Sequence, residues 1–228
     1  MKKVKTSQPN PNLFVQAFEE QLDLGYDYVI CLTLSKGLSG TVNSANLAQK
    51  ILDNPHVIVI DSQTVGPGVE YLLECADKAI EAGNTFEEVI KVIQDRIPTV
   101  SFLFSVEQLE ALVAGGRLSK LQAIVGNLLK IKPILKFKEG VLTVLKKVRG
   151  TQGIMSFLST YIAEHSSAEQ PGYAKTVYVD NVAKVKELEH EIYQKAPEIQ
   201  MSLHGAISAV IATHLGYSGL GVLVVERT

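Results

Sequence analysis

Apolar positions along the first hundred residues fall into alternating helical and extended runs. Leu13, Phe14, Ala17, Phe18 and Leu22 recur at helical spacing behind Asn10-Pro11, an N-cap followed by proline at the first helical position, and Gly25 ends the run. Tyr28 to Leu34 is short, apolar and rich in β formers, so it predicts a buried strand. A polar loop, Ser35-Lys36-Gly37-Leu38-Ser39-Gly40-Thr41, leads into a helix to about Asp53, and Val57 to Ile60 predicts a second buried strand. A helix over Val69 to Ala82 stops at Gly83, and Thr85 with Glu88 makes a capping box for a helix to about Ile97. Helix, strand, helix, strand, helix implies a parallel sheet with helices on its faces.

The rhythm changes near Pro98. Val100 to Ser105 predicts a strand, followed by a helix ending at Gly115-Gly116 and another over Ser119 to Leu129. Ile131 to Lys138 and Val141 to Val148 alternate with period two around Glu139-Gly140, a hairpin signal. Gly153 to His165, Val182 to Ala196 and part of Gly205 to Thr213 predict helices; Lys175 to Val179, Ile199 to Leu203 and Leu220 to Val225 predict strands. The expected fold is therefore α/β in two domains. Residues 1–98 form a parallel sheet with flanking helices, and residues 99–228 a mixed α/β domain with antiparallel strands.

Composition narrows the function classes. The 228 residues are 46% hydrophobic and 20% charged, ordinary globular usage that argues against disorder. A formal charge of −2 gives no overall reason to bind polyanions, and no apolar run reaches membrane-span length. The basic start, Met1-Lys2-Lys3-Val4-Lys5, leads into Thr-Ser-Gln-Pro and so lacks the apolar core of a signal peptide. Cys31 and Cys75 lack metal or redox spacing and suggest small buried hydrophobes of a cytoplasmic protein. Residues 115–150 carry nine basic side chains and one acid, Glu139. Alternation puts Lys132, Lys136 and Lys138 on one strand face, opposite Ile131, Leu135 and Phe137. That face is either a solvated, aggregation-resistant edge or a docking face for an acidic partner; no aromatic residues interleave the lysines on that face as single-stranded nucleic acid would require.

The loop from Ser35 to Thr41 carries the most chemistry. It joins the carboxyl end of a strand to a helix N-terminus, where free N–H groups and the helix dipole favour an anion. Gly40 permits close approach, while Ser39 and Thr41 add hydroxyls. A capped turn that binds nothing has the same sequence. Gly37-Leu38-Ser39-Gly40-Thr41 also approaches the nucleophile elbow of a serine hydrolase, with Thr in place of the last Gly. Such an esterase or thioesterase would need His214, which lies in a Gly-containing loop, and an orienting acid such as Asp61.

Several motifs, in order, resemble the DegV family of bacterial fatty-acid-binding proteins. They are Thr6-Ser7-Gln8-Pro9, Leu38-Ser39-Gly40-Thr41, Val59-Ile60-Asp61-Ser62, Gly115-Gly116-Arg117-Leu118-Ser119-Lys120, Leu128 to Leu135, Lys147-Val148-Arg149-Gly150 and Thr213-His214-Leu215-Gly216. The resemblance implies one long-chain fatty acid, palmitate or an unsaturated acid of similar length, held between two domains. It implies no catalysis, metal or cofactor, and a fatty acid kinase that receives the carboxylate for phospholipid synthesis. It assigns the carboxylate to Thr6, Ser39, Gly40, His214 and Arg149, and kinase docking to Arg117 and Lys120. No nucleic acid partner or stable membrane insertion is expected. The family normally carries a first parallel strand ahead of the Thr-Ser-Gln-Pro motif, so the first sheet is expected to lack a strand. A fragment that folds but binds no lipid is the third reading.

Overall fold

The computed structural model describes residues 5–106, 112, 116–117, 131–166, 169, 172–215 and 219–226. Helix α1 spans Pro11–Asp23 and is capped by Asn10, whose Oδ1 accepts from the Asn12 N–H. Strand β1 (Val29–Thr33) and helix α2 (Thr41–Leu52) follow, then β2 (Val57–Asp61), α3 (Pro67–Glu81) and α4 (Phe86–Arg96). The capping box is present, with the Thr85 side chain accepting from Glu88 N–H and the Glu88 carboxylate from Thr85 N–H. β1 and β2 pair in parallel, Val29 opposite Val57 through Thr33 opposite Asp61. One face packs Val29, Cys31 and Val57 against Phe18, Ala45 and Ala48 of α1 and α2. The other packs Ile30, Ile58 and Ile60 against Ala76, Ala79, Val89 and Ile93 of α3 and α4. Burial pushes the Cys31 thiol up to about 11, so it stays protonated and packs as a small hydrophobe.

The second sheet begins at β3 (Val100–Ser105) and continues through the hairpin β4 (Ile131–Lys138) and β5 (Val141–Arg149). Helix α5 (Gly150–Glu164), β6 (Tyr173–Tyr178), α6 (Val182–Lys195), β7 (Gln200–Ala206), α7 (Ala209–Leu215) and β8 (Leu220–Val225) complete the order. The six strands lie β5-β4-β3-β8-β6-β7, antiparallel except for the parallel pair β6 and β7. Glu139 and Gly140 take φ of 51° and 76°, the left-handed pair that a two-residue hairpin turn requires. The two predicted helices between β3 and β4 lie outside the described residues, apart from Leu112, Gly116 and Arg117.

Alternation along the second sheet sends side chains to two dry faces. Leu103, Ile134, Val222 and Val224 meet α5 and α6 through Leu158, Ile162, Leu188 and Ile192. Phe102, Phe104, Leu135, Phe137 and Leu223 face the first sheet and pack near Leu32, Leu34 and Leu38. Because helices cover the first of these faces, the lysine stripe of β4 is not a simple solvated edge. Lys136 Nζ lies 2.5 Å from Glu226 Oε1 and 3.0 Å from the Tyr161 hydroxyl, which itself donates to Glu226. Alternation puts Lys136 on the same side as the fully buried Ile134, a side covered by α5, so its charge had to find a partner there.

Candidate functional site

A cavity of about 340 Å³ lies between the apolar face of the second sheet and the loops after β1 and β2. Leu34, Leu38 and Val65 line it from the loops after β1 and β2, and Phe102, Phe104, Phe137 and Leu142 from the second sheet. Ile211, His214 and Leu215 of α7 close another side. Polar groups converge from Thr6, Ser7, Ser39, Thr41, His214 and Arg117. A mainly apolar hollow with a few convergent polar groups is the general form of a ligand site. A broader groove of about 880 Å³ beside β1, α3 and α4 is rimmed by Asp27, Glu70, Glu74 and Asp77 and has no comparable convergence.

Each polar group is placed by a different element. Thr6 Oγ1 lies 2.7 Å from His214 Nε2, a contact across 208 positions of sequence. Ser39 Oγ lies 2.8 Å from Thr41 Oγ1 and accepts from the Thr41 N–H, so both hydroxyls gather at the start of α2. No acidic residue occupies the first turn of that helix, so its positive end keeps its attraction for an anion. Gln8 Nε2 donates to Ser44 Oγ and lays the N-terminal segment across the helix start. Gly40 is what lets it lie there: a Cβ at this position would fall 1.8 Å from Gln8 Oε1. Arg117 Nε donates to the Leu38 carbonyl at 3.2 Å. Burial and the Arg117 charge both hold the His214 imidazole below its ordinary value, so it is neutral at pH 7.

The structure brings Thr6, Ser39 and His214 together around one hollow, with Gly40 immediately behind. It does not bring Arg149 there: that residue is exposed at the end of β5 and is not among the cavity lining. Arg117, assigned from the sequence to partner docking, lines the cavity, so a change at Arg117 alters the cavity wall itself. Lys120 lies outside the described residues. The serine hydrolase arrangement is not assembled. His214 contacts Thr6 rather than Ser39, and Asp61 Oδ1 accepts from the Lys36 and Gln63 N–H groups. Sequence reasoning missed the phenylalanine wall, since Phe102, Phe104 and Phe137 sit in apolar strands indistinguishable from any core.

Comparison with known proteins converges with this geometry. The family model described as "Uncharacterised protein, DegV family" matches residues 1–227. The chain belongs to the DegV family. Its DegV relatives include a "Fatty acid-binding protein" of Thermotoga maritima, 37% identical over 227 residues, covering 98% of this chain and 78% of that one. Among solved structures, the fatty-acid-binding DegV family protein of Thermus thermophilus superposes with a TM-score of 0.89 at 30% identity, covering 98% of this chain and 79% of that one. A DegV family protein of Eubacterium eligens, solved loaded with heptadecanoic acid, gives a TM-score of 0.82 at 25% identity over 97% of this chain and 79% of that one.

Proposed function

We propose that this DegV chain binds one long-chain fatty acid, palmitate or an unsaturated acid of similar length, between two units divided at about Pro98. The carboxylate sits at Thr6, Ser39 and His214 beside the start of α2, and the acyl chain lies along the phenylalanine wall. The observation that carries this reading is the Thr6–His214 contact at the polar end of a cavity whose other walls are apolar. Each buried methylene contributes about 0.8 kcal/mol, and each hydrogen bond to the carboxylate about 1.5–3 kcal/mol. Native mass spectrometry of purified protein, followed by organic extraction, should find fatty acid at one per chain. Thr6→Val and Ser39→Ala should each weaken binding about ten- to a hundredfold. Binding unchanged in both variants, with the fold intact, would move the carboxylate elsewhere.

Gly40→Ala tests the N-terminal segment. The added methyl displaces the Gln8 side chain, a flexible group, so the expected loss of stability is only about 1 kcal/mol. Thr6 shifts with it, and ligand retention should fall several-fold in the same extraction. Retention unchanged at the normal unfolding temperature would show that Gln8 does not position Thr6.

His214 gives a pH test. Burial and the Arg117 charge favour its neutral form, whereas a bound carboxylate beside it favours the charged form. Binding therefore takes up a proton, and affinity should rise as pH falls from neutrality toward the depressed histidine value. His214→Gln should flatten that dependence in an isothermal titration. A slope equal to that of wild type would make the histidine a neutral packing group.

We extend the proposal to a carrier role. A carboxylate held in the cavity can be offered to a fatty acid kinase for phospholipid synthesis, and the family motif that carries Arg117 and Lys120 is the segment we assign to that docking. The family resemblance supports this step.

A further inference from the structure

We infer that the Phe102–Phe104 pair is the end stop of the cavity and sets the longest acyl chain it accepts; this rests on the fatty-acid reading above. The two rings stack on one face of β3, centroids 5.2 Å apart, and both are almost wholly buried. Both line the cavity. The buried apolar cluster to which both rings belong also contains Leu72, Val100, Val177 and Leu223, none of which lines the cavity. Phe102 is therefore shared between the cavity wall and a dry region that a chain would enter if the ring were gone.

The rings are held in place by a missing side chain on β8. Gly221 stands opposite Phe104 in the register, next to the Phe102–Leu223 pair. A Cβ at Gly221 would lie 2.8 Å from Phe104 Cβ and 3.1 Å from Phe102 Cε2. The glycine thus provides the space that the two rings fill, and the strand alternation aims them at the cavity instead of at α5 and α6. Both rings are hydrocarbon, whereas the carboxylate is assigned to Thr6, Ser39 and His214, so chain length and carboxylate recognition are set by separate residues.

The test uses delipidated full-length protein and a ladder of saturated acids from dodecanoic to eicosanoic, with affinities from isothermal titration. One extra buried methylene changes affinity about fourfold. Phe102→Ala should move the preferred acid at least two carbons longer, improving the ratio of longer to shorter acid about tenfold. Phe102→Leu should give a smaller shift in the same direction. Where Phe102→Ala fails to fold by circular dichroism, Phe102→Leu carries the same reading. Thr6→Val should weaken every acid in the ladder without moving the preferred length. Wild-type binding with the same length profile in the folded Phe102 variants overturns the end stop and leaves the fatty-acid reading standing. Absence of binding to wild type overturns the fatty-acid reading itself.

Discussion

Removing both carboxylates that meet Lys175, as the Glu70→Ala and Glu74→Ala double variant, is expected to lower the unfolding free energy by roughly 3–5 kcal/mol. That is a large part of the margin of an ordinary domain. Lys175 is on β6 and 5% exposed, with Nζ 2.5 Å from Glu74 Oε1 and 3.2 Å from Glu70 Oε1. The pair ties α3, which belongs with the first sheet, to the second sheet. Its two ends differ: the glutamate side chains are 39% and 41% exposed and can turn to water, whereas the ammonium cannot. Lys175→Met should therefore cost little by itself and should restore most of the loss when added to the double variant. Urea unfolding followed by circular dichroism measures all three. A triple variant no more stable than the double would place the loss in the α3 contacts, not in the stranded charge. Burial alone would push the Lys175 ammonium down, but the Glu74 hydrogen bond, with Tyr173 and Glu70, holds it above its ordinary value. The stabilisation is thus complete below the pKa of an unfolded lysine and fades as pH climbs through the folded value. Lys175→Met should lack that alkaline step.

Gly37→Ala should be the most damaging change of one methyl group, costing roughly 2–4 kcal/mol and opening the ligand cavity. A Cβ at Gly37 would lie 2.3 Å from the carbonyl oxygen of Gly140. That oxygen is backbone, in the tight β4–β5 turn, and cannot swing aside as a side chain would. It also accepts from Ser35 Oγ at 2.5 Å, so the turn is seated on the loop after β1 by both shape and a hydrogen bond. Phe137 and Leu142 flank the turn and line the cavity, so lifting the hairpin parts one wall. Fatty acid retained through purification should fall at least tenfold, along with the unfolding temperature. Ser35→Ala, which removes the hydrogen bond but not the fit, should cost about 1 kcal/mol and keep most of the ligand. Normal stability and normal ligand content in Gly37→Ala would show that the hairpin does not rest on this loop.

Much of the local architecture could be read from short stretches of chain. Asn10-Pro11 starts α1, the Thr85–Glu88 box starts α4, and Glu139-Gly140 turns the hairpin. These signals work because caps and turns satisfy backbone groups within three or four residues. Period-two alternation likewise put Leu135 and Phe137 on one face of β4, where they share one apolar cluster. The same alternation misjudged Lys136, because it says which face a side chain takes and not what covers that face. Glu226, Tyr161 and Ser101 meet there only after β8, α5 and β3 have come together.

The candidate site divides in the same way. The loop after β1 announced Ser39 and Gly40 through its strand-to-helix position, and the family resemblance linked Thr6 and His214. Only the tertiary structure placed Arg117 in the cavity wall, left Arg149 outside, and showed that Gly37 and Gly40 are glycines because Gly140 and Gln8 lie against them. Such contacts join residues tens to hundreds of positions apart, and no local propensity encodes them. The elements, their caps and the α/β class are legible along the chain, since those depend on neighbouring residues. Folding decided which polar groups face one another across the cavity and which apolar side chains line it, since those depend on how two sheets pack.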